Sequence, residues 1–158
     1  MGKSKPDRLT EFPAIWEVPY QSGELKGIGY KGKKQVNSAT LQTANEVSQI
    51  KLTADRNKIK ADEQDLSYIT VELTDANGIR NPNAENLVSF EIEGPGTIIG
   101  VGNANPVSIE SYQLPQRKTW QGRCLVVIKS ESKQGEIVLK ASSDSLKPAN
   151  IVVYSTGE

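Results

Sequence analysis

Glu91 and Glu93 stand two apart in LVSFEIE (Leu87 to Glu93). Two carboxyls on one strand face fall about 5–9 Å apart, the range in which glycosidases hold their acid and their nucleophile or base. Such a pair must flank a bond from separate elements, and the alternation of Val88, Phe90 and Ile92 with Ser89, Glu91 and Glu93 marks these two as a solvated face. Ser130 and Lys133 satisfy S-x-x-K, but the companion S-D-N and K-T-G elements are absent. In KADEQDLS (Lys60 to Ser67), Asp62, Glu63 and Asp65 offer three oxygens donors to a calcium ion that wants six to eight, without the spacing of a calcium loop. The run reads as an Asx-type turn. GKS at Gly2 to Ser4 matches the end of a phosphate loop but has no upstream glycine, and GPGTIIG (Gly94 to Gly100) has no following helix to face a pyrophosphate. Trp16 and Trp120 are the large aromatics; each suits a sugar-stacking platform or a core or interface anchor.

Composition narrows the chemistry further. The 158 residues include no His and one Cys, with 19 Lys+Arg against 19 Asp+Glu. Ser-His and Cys-His catalysis and His-ligated metals therefore have no donors within this chain, and one Cys makes neither an internal disulfide nor a cysteine zinc cluster. Zero net charge gives no field to gather phosphate backbones, so nucleic acid is not an expected partner. The longest apolar run, Cys124 to Ile128, is far short of the ~20 residues that span a bilayer, and MGKSKPDRL lacks an apolar signal core. No membrane partner, metal or cofactor is expected.

The elements that would position these residues are strands. QIKLTA from Gln49, SYITVEL with Ile69, Val71 and Leu73, and LVSFEIE all alternate with period two; CLVVIKS, EIVLKAS and NIVVYS are short and β-branched. DANG (Asp75 to Gly78), GPG (Gly94 to Gly96) and Gly135 supply the reversals between them. About seven strands are expected between Val47 and Tyr154, folded as an all-β, antiparallel sandwich of the Ig-like kind over residues 45–158. Residues 1–44 hold one hairpin around Gly32 and a strand ending near Thr43. Two or three strands are marginal alone, so this segment reads as the C-terminal remnant of a preceding small β-sandwich domain.

Several runs carry a resemblance. WEVPYQSGELKGIGYKGKKQV, the span IKLTADRNKIKADEQDLSYITVELTDANG, GVGNANPVSIESY and RKTWQGRCLVVIKS together resemble the C-terminal accessory region of bacterial family 2 glycoside hydrolases of the β-galactosidase kind. There W-x-VPY-x-PG closes one small sandwich, and L-x-x-D-R-x-x-I-x-A-D-x-x-DLS, G-x-G-N-x-x-P-x-S-x-E and R-K-x-x-x-G-x-C-L follow in an Ig-like one. Ser22 stands where that pattern has Pro, Ala104 where Gly is common, and Trp120 where Phe is usual.

The resemblance implies that the reactive glutamates lie on a separate (β/α)₈ barrel and that this chain is a non-catalytic accessory domain, reaching the periplasm or exterior with its parent. Its implied partners are the parent's other domains, and a glycan in the rival reading as a carbohydrate-binding module; an adhesin-like Ig module is a third reading. Because the pattern specifies Asn103, Pro106, Ser108 and Glu110, the loop Gly100 to Gln113 is the expected loop or interface site, with Trp120 and Trp16 as further candidates. Asn103 and Glu110 are expected to bond the loop's own backbone.

Overall fold

The structure, a computed structural model, describes residues 17–157. The chain divides into two compact units, one up to Gln42 and one from Thr43. In the first, β1 (Glu24–Lys31) and β2 (Lys34–Gln42) form an antiparallel hairpin in which Leu25 faces Leu41 and Gly27 faces Ala39. Every described residue of this unit is exposed.

The second unit holds nine strands: β3 (Gln49–Ala54), β4 (Lys58–Lys60), β5 (Leu66–Thr74), β6 (Leu87–Glu93), β7 (Gly96–Gly102), β8 (Gln116–Lys118), β9 (Arg123–Ser130), β10 (Gly135–Ser142) and β11 (Ala149–Thr156). They make a four-stranded sheet in the order β3-β5-β9-β7 and a five-stranded sheet in the order β4-β11-β10-β6-β8, antiparallel throughout except where β4 pairs parallel with β11. This is the all-β sandwich the alternation implies. The expectation of about seven strands falls two short because β4 and β8, three residues each, are too brief to show a period.

The core follows the alternation. Ile69, Val71, Leu73, Val126 and Ile128 of one sheet meet Val88, Ile137, Leu139 and Val153 of the other, each with no solvent exposure. Two turns need glycine. At Gly94 (φ +95°) a Cβ would lie 2.0 Å from the Glu136 carbonyl oxygen, and at Gly122 (φ +72°) 2.2 Å from that of Asn81. Asp75, also buried, organises the DANG reversal and the entry of the chain into the sandwich. Its carboxylate accepts from the main-chain N–H of Asn45 (3.0 Å), Asn77 (2.9 Å) and Ile79 (2.9 Å), and from Asn45 Nδ2 (3.3 Å).

Candidate functional site: the loop between β7 and β8

The two sheets leave two open sides. Along one, β3 of the four-stranded sheet lies beside β11, and an open groove of about 640 Å³ runs past Leu52, Ala54, Asp55, Arg56, Ile151 and Val152. Its one carboxylate is engaged: Asp55 accepts from Tyr68 N at 2.8 Å and Arg56 N at 2.7 Å. Along the other side, between the edge strands β7 and β8, the opening is closed by residues 103–115.

Asn103 begins this closure. Its Oδ1 accepts from Asn105 N (3.1 Å) while its Nδ2 donates to the Lys118 carbonyl on β8 (2.7 Å). Asn105 repeats the motif on Val107 N (3.1 Å), and Ser108 Oγ accepts from Glu110 N (3.4 Å) and donates to Glu110 Oε2 (3.2 Å). Glu110 Oε1 takes the Lys118 N–H at 3.1 Å. The sequence-selected residues Asn103, Ser108 and Glu110 are thus brought together, each half-buried, with Pro106 exposed between them.

Behind them lies Arg117, which has no solvent exposure. Its Nη1 donates to the Glu110 carbonyl (2.8 Å), its Nε faces Glu110 Oε2 at 3.7 Å, and the guanidinium lies 4.6 Å from the centre of the Tyr112 ring. Tyr112 in turn packs over the site a Cβ of Gly102 would occupy, and its carbonyl accepts from Val101 N at 2.8 Å. The Arg117–Tyr112 pair was not singled out from sequence. A charged residue in a three-residue strand carries no burial signal, although R-K-x-x-x-G-x-C-L does specify it. Burial pushes the neighbouring Cys124 thiol up to about 12, against the pull of Arg117, so the chain's one thiol stays protonated and inert.

Trp120 stands apart from this cluster. It is half-buried, and its main chain exchanges hydrogen bonds with Arg123 (2.8 and 3.0 Å) around a turn at Gln121 and Gly122. Trp16, like Gly2 to Ser4, lies outside the described residues. Elsewhere Glu91 and Glu93 are exposed on β6, Glu93 pairing with Lys140 Nζ. Asp62 accepts from Gln64 N and Asp65 N (2.9 and 2.8 Å), which is Asx-turn geometry, and Asp65 accepts from Lys60 N and Leu66 N (both 2.9 Å) across the base of the same turn. Ser130 is buried and Lys133 exposed. What the β7–β8 loop presents is a shaped surface, with its polar groups spent on its own backbone and on β8.

The family model for the glycoside hydrolase family 2 C-terminal domain 5 matches residues 50–152. The chain belongs to that family. A second model, a domain of unknown function (DUF4982), matches residues 1–37. A β-galactosidase of Bacteroides ovatus is 40% identical over 151 residues, covering 94% of this chain and 18% of that protein. A putative β-glucuronidase of Formosa agariphila is 32% identical over 108 residues, 68% of this chain and 10% of that protein. Among solved structures, a family 2 glycosyl hydrolase of Bacteroides cellulosilyticus is 50% identical with a TM-score of 0.83, over 89% of this chain and 18% of that one. The chain spans less than a fifth of each. What it matches is the model of a C-terminal domain of family 2 glycoside hydrolases, a small part of each of these relatives. Among the described residues no helix is long and apolar enough to cross a membrane.

Proposed function

We propose that this chain is the accessory C-terminal region of a β-galactosidase-like glycosidase that acts outside the cytoplasm, and that it packs against the enzyme's other domains. The observation that carries this is the 40% identity along 94% of the chain to a β-galactosidase of which it makes up 18%. Residues 1–44 end a preceding small β-sandwich domain and residues 45–158 form the Ig-like one. The hairpin supports that division: Leu25, Ala39 and Leu41 share one face, Leu25 and Leu41 are 51% and 71% exposed, and a pair of strands cannot bury them without further sheet. That relatives named β-glucuronidases match as well supports a reading in which substrate choice lies outside this region.

The test compares the chain with the full-length protein on nitrophenyl β-galactoside and β-glucuronide. The chain alone is expected to stay at the buffer rate, with Glu91→Gln and Glu93→Gln leaving that rate unchanged, while the full-length protein turns over one of the two. Turnover by the chain alone, lost in the double variant, would overturn the accessory assignment.

A further inference from the structure

The β7–β8 loop is inverted relative to a loop that meets only water. Such a loop tucks its apolar side chains under and offers polar ones to solvent. Here Asn103, Asn105, Ser108 and Glu110 turn to the backbone, while Val107 is 80% exposed, Ile109 100%, Tyr112 57% and Leu114 50%. Glu110 is the only charged residue from Val101 to Leu114, and its carboxylate is committed to Arg117 and the Lys118 N–H. The tip is uncharged, apolar and fixed in shape before any partner arrives, which lowers the cost of ordering it on association.

We propose that Val107 and Ile109 form a docking knob that seats in an apolar, uncharged pocket on another domain of the same hydrolase polypeptide. This rests on the accessory-domain reading above. Size selects the occupant. A stable complex between separate proteins buries on the order of 800 Å² on each partner, and a few side chains at a loop tip fall well short of that, so a free partner or a second copy would not be held. A domain tethered in the same chain is present at an effective concentration on the order of millimolar, where so small a contact suffices. The knob's lack of charge calls for a pocket without charge, since a charged wall would be desolvated unpaired.

Cys124 is buried and unreactive, so Ile109→Cys installs a thiol reporter on this chain. Maleimide labelling, read by mass spectrometry of the peptide holding position 109, is measured in the 158-residue chain and in the full-length protein. Glu131→Cys, at an exposed position in the β9–β10 turn, serves as the control. Labelling of Ile109→Cys is expected to be at least tenfold slower in the full-length protein, with the Glu131→Cys rate equal in both. Adding Val107→Asp should restore the fast rate. Equal rates for Ile109→Cys in the two settings, in a full-length protein that hydrolyses a nitrophenyl glycoside, would overturn the knob and leave the accessory reading intact. Protection in the isolated chain that grows with its concentration would assign the surface to a second copy, and also overturn the proposal. A full-length protein without glycosidase activity would remove the accessory reading itself, and the knob with it.

Discussion

Asn103 uses both ends of its amide, one on Asn105 N and one on the Lys118 carbonyl, and so ties the start of the β7–β8 loop to the strand at its end. Removing the side chain strands a donor and an acceptor in a half-buried place. Asn103→Ala is expected to lower the unfolding free energy of the chain by roughly 1–3 kcal/mol, measured by urea denaturation. A variant with the wild-type midpoint would mean that these bonds merely replace bonds to water at no net gain. Arg117 contributes differently. Burying a guanidinium is costly unless its charge is met, and Glu110 meets it while the Tyr112 ring covers it. The same Glu110 also receives the Lys118 N–H, so one carboxylate joins loop, edge strand and buried cation.

At the scale of elements, the turns before β5 and after it are held by carboxylates that must stay ionised. The Asn45 main-chain N–H, followed by those of Ile79 and Asn77, holds Asp75 below the ordinary carboxylate range, and the Lys60 and Leu66 N–H groups with Arg56 do the same for Asp65. Burial pushes Glu72 up, but the Arg123 hydrogen bond and the charges of Arg123 and Lys51 outweigh it and leave Glu72 lowered. A carboxyl whose folded pKa lies below its unfolded one contributes stability above the unfolded value and loses it as pH falls. Urea midpoints are therefore expected to be level from pH 7 to 5 and to drop as pH passes below about 4. Asp75→Asn, measured across the same range, should start lower at pH 7 and drop less. A wild-type midpoint unchanged down to pH 3 would show that these carboxylates add no folded-state stability.

The strands around these turns were largely legible, because Ile69, Val71 and Leu73, or Val88 and Phe90, alternate in type as they alternate in burial. Two features were not. Three-residue strands such as β8 are set by pairing with a neighbour, not by a period of their own, and the inward Arg117 looks like any surface cation until the Glu110 loop folds over it. The loop itself was legible as an irregular, self-bonded excursion through its Asn, Pro and Ser, yet its apolar outer face was not. Val107 and Ile109 differ from core residues only in which side of the backbone they occupy.

At the scale of the molecule, the two units differ in how their backbones are secured. From Asn45 onward the chain is fastened: Asn81 Nδ2 donates to the Asn45 carbonyl at 2.9 Å, Ser48 N to Thr74 O at 3.0 Å, and Ile50 to the core. From Glu17 to Gln42 the described residues are all exposed, and their two strands pair with each other in one hairpin. Segments with little buried apolar surface open at low free energy, and proteases cleave what opens. Brief trypsin treatment is therefore expected to cut first after Lys26, Lys31, Lys33 or Lys34, well before Lys51 and Lys58, which lie in strands of the sandwich. A less specific protease should trim further, to a resistant core that begins near Asn45, a position set by the Asp75 and Asn81 side chains. Mass spectrometry of the time course reads both. If hairpin and sandwich are lost together at one rate, the hairpin draws its stability from the sandwich, and the division at residues 44 and 45 does not separate two domains.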